Sequence, residues 1–108
     1  MAGMTGKCPL NAFHLAVGGK YKMRIVWELQ EGPKRFGELS RSAVVTAMGK
    51  AVTPRVLSRE LKELEQRGLI HREQYPVVPP KVEYSLTDFG RTVVPVIKQI
   101  VDWGMEYR

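Results

Sequence analysis

Residues 53–87 read TPRVLSRELKELEQRGLIHREQYPVVPPKVEYSLT, in which a helical pattern is followed by two short runs typical of strands. Thr53 is a favourable N-cap and Pro54 suits the first helical position, so a helix is expected to begin here. Leucines at spacings of four and three residues form one apolar stripe, and Gly68 provides the end. We therefore predict an amphipathic helix over residues 53–67.

The same stretch continues into a predicted β-hairpin. Residues 70–75 and 81–86 have the length of strands, and the later run has apolar side chains at every second position. The sequence Pro-Val-Val-Pro-Pro at 76–80 between them cannot form a helix or a central strand, because proline lacks the backbone N–H that a ladder needs. This pattern predicts two strands joined by a stiff, proline-rich tip.

Three further helical patterns precede this segment. They cover residues 9–17, about 20–31, and 36 to as far as 48, each judged from the recurrence of apolar residues at helical spacing. Glycine follows each of them and is expected to end it. The predicted breaks are Gly18-Gly19, Gly32-Pro33 and Gly49.

A last helix is predicted from about Asp88 to Glu106, with Thr87 as its cap and a kink at Pro95. The order of elements is then three helices, a fourth helix, a hairpin and a closing helix. This order predicts an α+β, mainly α fold: a winged helix-turn-helix with a two-stranded wing and an additional C-terminal helix. With 108 residues we expect one domain, and residues 1–7 are expected to be a loose tail.

The charge distribution favours a polyanionic partner. The chain carries 17 lysines and arginines against 11 acidic residues, a net charge of +6, which points first to nucleic acid and second to an acidic membrane surface. Most of the excess lies in residues 1–50, where it would contact phosphates or, alternatively, form a solvated basic face. The basic residues concerned are Lys20, Lys22, Arg24, Lys34, Arg35, Arg41 and Lys50.

The predicted helix over 53–67 leaves basic and hydroxyl side chains on the side opposite its leucines. In a helix-turn-helix the second helix enters the major groove, where arginine suits guanine edges and phosphates. An amphipathic surface helix with pairs such as Arg59–Glu63 is the structural alternative. The predicted double-stranded DNA contacts are Thr53, Arg55, Ser58, Arg59 and Lys62 in this helix, Lys34 and Arg35 before it, and Arg72 and Lys81 beside the hairpin tip.

Catalytic, metal and cofactor sites are not expected. His14 and His71 lie in unrelated elements, and Cys8 is the only cysteine, so one chain can form neither an internal disulfide nor a cysteine-based metal cage. Phosphate-binding, dinucleotide and hydrolase motifs are absent from the sequence. Since it also shows no signal peptide or membrane-spanning run, we expect a cytoplasmic protein that is not an enzyme.

Several motifs together carry a family resemblance. They are Cys8-Pro9, Gly-Gly-Lys-Tyr-Lys at 18–22, Arg-Phe-Gly-Glu-Leu at 35–39, Leu57 to Glu65, and the block from Gly68 to Thr87. In these motifs, over about Cys8 to Tyr107, the chain resembles the HxlR-type winged-helix transcriptional regulators of bacteria and archaea. One difference is that the chain is longer than the family pattern near Ala43 to Ala51.

The resemblance implies a homodimer that forms through the first and last helices and binds a two-fold symmetric operator. The sequence agrees, because the last helix has apolar residues on more than one face and some of that surface needs a partner. The residues predicted at the dimer interface are Leu10, Phe13, Val94, Ile97, Val101, Trp103 and Met105.

Cys8 has two alternative roles. It precedes Pro9 at the start of the first helix, where unpaired N–H groups favour a thiolate that oxidants and electrophiles attack. The resemblance implies a sensing role as well, since some relatives sense oxidants or quinones through a cysteine at this position. The alternative is a small residue packed in the dimer interface.

The leading hypothesis is a sequence-specific, homodimeric DNA-binding regulator whose effector and operator the sequence does not identify. The alternatives are a winged-helix module for protein–protein contact and a non-specific architectural DNA-binding protein. The outer face of residues 53–67 distinguishes the first alternative, because an interaction module typically presents apolar side chains where this chain presents basic ones.

Overall fold

The computed structural model describes residues 8–19, 21–42, 44–45 and 52–107. The predicted architecture is confirmed: the described chain is mainly helical, with a two-stranded antiparallel wing and a long C-terminal helix. The elements are α1 (Pro9–Val17), α2 (Lys22–Leu29), α3 (Phe36–Ser40), α4 (Pro54–Gln66), β1 (Ile70–Tyr75), β2 (Lys81–Leu86) and α5 (Asp88–Tyr107).

Helix α4 forms as its sequence predicts. The side-chain oxygen of Thr53 accepts a hydrogen bond from the backbone N–H of Val56 at 3.2 Å, which satisfies a donor that the first turn leaves unpaired. The stripe of Leu57, Leu61 and Leu64 is buried in the core, together with apolar residues of α2, α3, α5 and the wing. Burial of this stripe leaves the opposite face of α4 to solvent.

The wing is attached to the helical core at its base. Strands β1 and β2 pair antiparallel, from Ile70 opposite Leu86 at the core end to Tyr75 opposite Lys81 at the tip. Lys34 extends the pairing, because its backbone N–H and C=O bond those of Tyr84 at 2.9 and 2.8 Å. The wing is therefore held both by its own ladder and by the segment that precedes α3.

Helix α3 is shorter than predicted. It ends at Ser40 and does not continue towards Met48, because the hydroxyl of Ser42 accepts hydrogen bonds from the backbone N–H groups of Val44 and Val45 at 3.1 and 3.2 Å. Such a side-chain bond to the backbone starts a turn in place of a helix. The predicted break at Gly49 and most of the added segment near Ala43 to Ala51 lie outside the described residues.

Helix α2 is shorter than predicted, whereas α5 has the predicted bounds to within one residue. Helix α2 begins at Lys22 and ends at Leu29, and the predicted first residue, Lys20, lies outside the described part of the chain. Helix α5 runs through Pro95 to Tyr107. Within the described part of the chain, no helix combines the length and apolar character required to cross a bilayer.

The start of α5 is fitted closely against the end of α4. The hydroxyl of Thr87 donates to the carbonyl of Gly68 at 2.6 Å and accepts from the N–H of Gly90 at 2.9 Å. A Cβ at Gly90 would collide with the carbonyl oxygen of Leu69, so only glycine permits this approach. Gly68 itself has a positive φ of 80° at the turn into β1. These contacts position α5 relative to the wing.

Candidate nucleic-acid interface

The outer face of α4 carries the polar side chains that the sequence predicts there. Arg55, Ser58, Arg59 and Lys62 are all exposed, and Thr53 is exposed at the N-cap. Because the leucine stripe holds α4 in the core by its inner side, these residues form one accessible surface of the helix.

The wing brings further polar side chains next to this surface. A polar concavity of about 300 Å³ lies between α4 and the strands. Its lining consists of Ser58, Lys62 and Glu65 from α4 and of Arg72 and Tyr84 from the wing. Two predicted DNA-binding residues of the helix and one of the wing thus share one groove, although they are separated in sequence.

Lys81 is held against the wing, close to its tip. Its ammonium nitrogen lies 3.5 Å from a carboxylate oxygen of Glu83 and 5.0 Å from the ring centroid of Tyr75. A cation over an aromatic face is attracted by the ring quadrupole, so these contacts orient the charge. The proline-rich tip, residues 76–80, is exposed beyond it.

Lys34 and Arg35 lie before α3, beside the base of the wing. The ammonium of Lys34 is 3.2 Å from Glu31 and 3.5 Å from Glu28, and the hydrogen bond to Glu31 raises the pKa of Lys34 above its ordinary value. Arg35 is exposed, and its backbone N–H donates to the side chain of Glu38 at 2.8 Å. Lys34 is therefore charged but partly neutralised, whereas Arg35 presents its guanidinium to solvent.

The prediction that Lys22 belongs to the accessible basic face is wrong. Lys22 is only 4% exposed, and its ammonium lies 2.6 Å from a carboxylate oxygen of Glu60 and 2.6 Å from one of Glu63. The start of α2 packs against α4, and an ammonium group buried there needs hydrogen-bonding carboxylate partners. The hydrogen bond from Lys22 lowers the pKa of Glu63 below its ordinary value.

The pairing around Arg59 also differs from the predicted alternative. Its guanidinium forms an ion pair with the second carboxylate oxygen of Glu60, the adjacent residue, at 3.1 Å, and not the predicted pair with Glu63 one turn later. Glu60 is 7% exposed and forms part of the interior. Spacing within one helix could not reveal this, because the deciding partner, Lys22, is on another helix.

The other basic residues predicted to contact phosphates in the first half of the chain have different environments. Arg24 donates to the backbone carbonyl of Val44 at 3.1 Å, so it supports the segment after α3. Arg41 is exposed at the end of α3. Lys20 and Lys50 lie outside the described residues.

The predicted dimer residues do not all lie at the surface. Leu10, Trp103 and Met105 are exposed, and the rings of Trp103 and Tyr107 are 5.1 Å apart. Ile97, in contrast, is only 4% exposed and packs into the core of its own chain, because it lies on the side of α5 that faces α2. Partly buried residues of the predicted set are Phe13, Val94 and Val101.

Ile97 and Val101 of this predicted set line an apolar cavity. It has a volume of about 390 Å³ and lies between α2 and α5, where Met23 and Trp27 face Ile100 and Val101. Arg24 supplies the charged group of its wall.

Cys8 is exposed and free at the N-cap position of α1. Its backbone carbonyl accepts the first helical hydrogen bond from Ala12 at 3.1 Å. Across the described ranges, no three histidine, cysteine or acidic side chains are grouped as metal ligands.

Comparison with known proteins agrees with this geometry. The HxlR-like helix-turn-helix family matches residues 16–108. YdeP, an HTH-type transcriptional regulator of Bacillus subtilis strain 168, is 46% identical over 101 residues, which cover 94% of this chain and 74% of YdeP.

Solved structures show the same likeness. The redox regulator HypR in its oxidized form aligns with a TM-score of 0.81 and 42% identity over 94% of this chain and 98% of HypR. Its reduced form aligns with a TM-score of 0.80 and 40% identity over 92% of both chains. The chain therefore belongs to the HxlR-like helix-turn-helix family and is a transcriptional regulator of the helix-turn-helix type.

Proposed function

We propose that this regulator acts as a homodimer that binds a specific, two-fold symmetric DNA operator. One observation carries the proposal: the exposed face of α4 presents Arg55, Ser58, Arg59 and Lys62 beside Arg72 of the wing. This is a convex helix with basic and hydroxyl groups on one side, of a width that the major groove accepts.

The groups divide into two classes of contact. Arg55, Ser58 and Arg59 lie in the first half of α4, the part of a recognition helix that reaches base edges, and arginine can bond guanine through two parallel N–H donors. The remaining predicted residues contact phosphates, which sets affinity and register but reads little sequence. These phosphate contacts are Thr53 and Lys62 on α4, Lys34 and Arg35 before α3, and Arg72 and Lys81 on the wing.

In vitro selection from a random duplex library tests the proposal. We expect the full chain to enrich one sequence with two inverted half-sites, separated by about one helical turn or a multiple of it. Enrichment of no sequence, together with salt-sensitive binding to every duplex, would identify a non-specific architectural protein instead. Absence of DNA binding at low salt would favour a protein-interaction module.

Arg59→Ala is expected to weaken binding to the selected site by about 1–3 kcal/mol and to relax selectivity at the base pair it contacts. The expected cause is the loss of a bidentate contact from an exposed side chain. Fluorescence-anisotropy titration at fixed salt measures the change, and Arg91→Ala, an exposed arginine of α5, is the matched control. Equal affinities of wild type and Arg59→Ala for the selected site would show that Arg59 does not contribute to base recognition.

We also expect DNA binding to respond to thiol oxidation at Cys8. The similarity to the redox regulator HypR supports this, as does the exposure of Cys8 at the start of α1. Because each chain has one cysteine, diamide can remove two protons and two electrons only from two Cys8 thiols of different chains, or from Cys8 and a small thiol. A disulfide across the dimer would shift one subunit against the other.

The measurement compares the DNA affinity of wild type and Cys8→Ser before and after diamide. Couplings of this kind are typically about 1–3 kcal/mol, so oxidation should change the affinity of wild type by roughly 5–150-fold and that of Cys8→Ser not at all. Equal affinities under all four conditions would leave Cys8 with a packing role only.

A further inference from the structure

Four charged side chains form a continuous cluster from the interior of the protein to the outer face of α4. We call it the Lys22 cluster, and it consists of Lys22, Glu60, Glu63 and Arg59. Lys22 contacts Glu60 and Glu63 at 2.6 Å each, and Arg59 contacts Glu60 at 3.1 Å. The cluster joins the first residue of α2 to the middle of α4, 38 positions later in the chain.

Glu60 occupies the central place in this cluster. Its Oε1 accepts from the Lys22 ammonium, and its Oε2 accepts from the Arg59 guanidinium. The carboxylate is buried and its first oxygen is bound to a buried cation of another helix, so the second oxygen has a defined position. Charge-assisted hydrogen bonds of this kind are directional, and they orient the groups that share them.

Arg59 stands at the other end of the cluster. Its side chain is 60% exposed on the face of α4 assigned to the DNA, while one guanidinium nitrogen is held by Glu60. A long arginine side chain otherwise samples many rotamers and can reach phosphates on any sequence. A guanidinium that is already oriented loses less freedom when it bonds a base edge.

We propose that Glu60 is a positioning residue for Arg59, anchored by Lys22, and that it determines base selectivity at the position Arg59 reads. The inference rests on the proposed function. The partner it concerns is a base pair with paired acceptors in the major groove, for which guanine is the best match. Glu60 itself does not contact DNA.

The alternative effect of Glu60 is simple repulsion. A carboxylate near the phosphate backbone weakens binding to all sequences, so its removal would strengthen binding to specific and non-specific DNA alike. A positioning role has the opposite signature, because removal of Glu60 weakens binding to the selected site more than to other duplexes.

The test replaces the buried ion pair by an apolar pair, Lys22→Met with Glu60→Leu. The exchange removes both buried charges and leaves only the partly exposed Glu63 without its cation, so the variant is expected to fold, which thermal unfolding verifies. Affinity is measured for the selected site and for a scrambled duplex of the same length, in the backgrounds of Arg59 and of Arg59→Ala. All variants are made in the full chain.

We expect discrimination between the two duplexes to fall about two- to fivefold in the Arg59 background, the range of a partly exposed ion pair. In the Arg59→Ala background, Lys22→Met/Glu60→Leu should not change the discrimination between the two duplexes. In single-base substitutions across the site, the loss should be confined to the base pair that Arg59→Ala relaxes.

Three results would overturn the inference. One is an equal loss of discrimination in both backgrounds, or at many base pairs, which would mean that the ion pair only places α4. Another is unchanged discrimination, or stronger binding to both duplexes alike. The third is a wild-type chain that binds the selected and the scrambled duplex equally well. This result would contradict the proposed function itself, and it is distinguished from the other two because it is seen in the wild type.

Discussion

Replacing Lys22 by methionine is expected to lower the free energy of unfolding by about 3–5 kcal/mol, the usual cost of breaking a buried ion pair from one side. The substitution leaves the carboxylate of Glu60 in the interior without its closest cation. Urea denaturation monitored by circular dichroism measures the change. The double variant Lys22→Met/Glu60→Leu should recover most of the loss, because it removes the unpaired charge as well.

An exposed ion pair on α5 provides the matched control. Lys98 and Asp102 are 2.8 Å apart, but both side chains are largely solvent-exposed. Lys98→Met should therefore change stability by only about 0–1 kcal/mol. Similar small losses for Lys22→Met and Lys98→Met would show that burial adds nothing to the interaction of Lys22.

The acid dependence of stability gives a second readout for Lys22. Its hydrogen bond holds the pKa of Glu63 below the ordinary value of 4.5 in the folded chain. A lowered folded-state pKa contributes stability that is present above the unfolded value and is lost as the pH falls through the folded value. The wild type should thus lose this contribution below about pH 4.5, and Lys22→Met should lack that part of the acid dependence.

Trp103→Ala is expected to weaken the proposed dimer strongly. Trp103 is 66% exposed in the monomer, and its ring lies 5.1 Å from that of Tyr107, which is also exposed. Burial of one large side chain contributes roughly 1.5–3 kcal/mol, and a symmetric dimer contains the residue twice, so the loss is about 3–6 kcal/mol. Sedimentation equilibrium of both proteins measures the dissociation constants.

Phe89→Ala is the control for this variant. Phe89 is also an exposed aromatic residue of α5, but it lies in the first turn of the helix, far along the chain from Trp103. Phe89→Ala should leave the dissociation constant of the dimer unchanged. A wild type that sediments as a monomer at micromolar concentration, or a Trp103→Ala dimer as stable as the wild type, would contradict the proposed interface.

Loss of the dimer should also weaken operator binding, because a monomer can engage only one of two half-sites. Arg59→Ala, by contrast, should weaken DNA binding without affecting the dimer. Trp103→Ala therefore tests the dimer, and Arg59→Ala tests base recognition. Failure of either prediction leaves the other proposal intact.

The elements of the fold could be predicted from the sequence because their signals are local. The cap at Thr53, the leucine stripe of α4 and the proline-rich tip between β1 and β2 each act over a few residues. They specify α4 and the hairpin wherever the rest of the chain lies. The exposed side chains of α4 could also be predicted, because a helix that buries one face leaves the opposite face in solvent.

The error in α3 has a local cause that its apolar periodicity did not show. The bond from the Val44 and Val45 N–H groups to Ser42 competes with helix continuation, and a serine within an apolar pattern carries no sign of whether it will do so. Sequence periodicity predicted the start of this helix and missed its end.

The sequence by itself thus determined the order of the elements, the buried face of α4 and the basic surface opposite to it. Only the tertiary structure decided which charges belong to that surface: it buried Lys22 with Glu60, placed Ile97 in the core and brought Arg72 beside Lys62. Caps and periodicity depend on neighbours along the chain, whereas the environment of a charge depends on groups brought together by packing, such as Lys22 and Glu60, which are 38 residues apart.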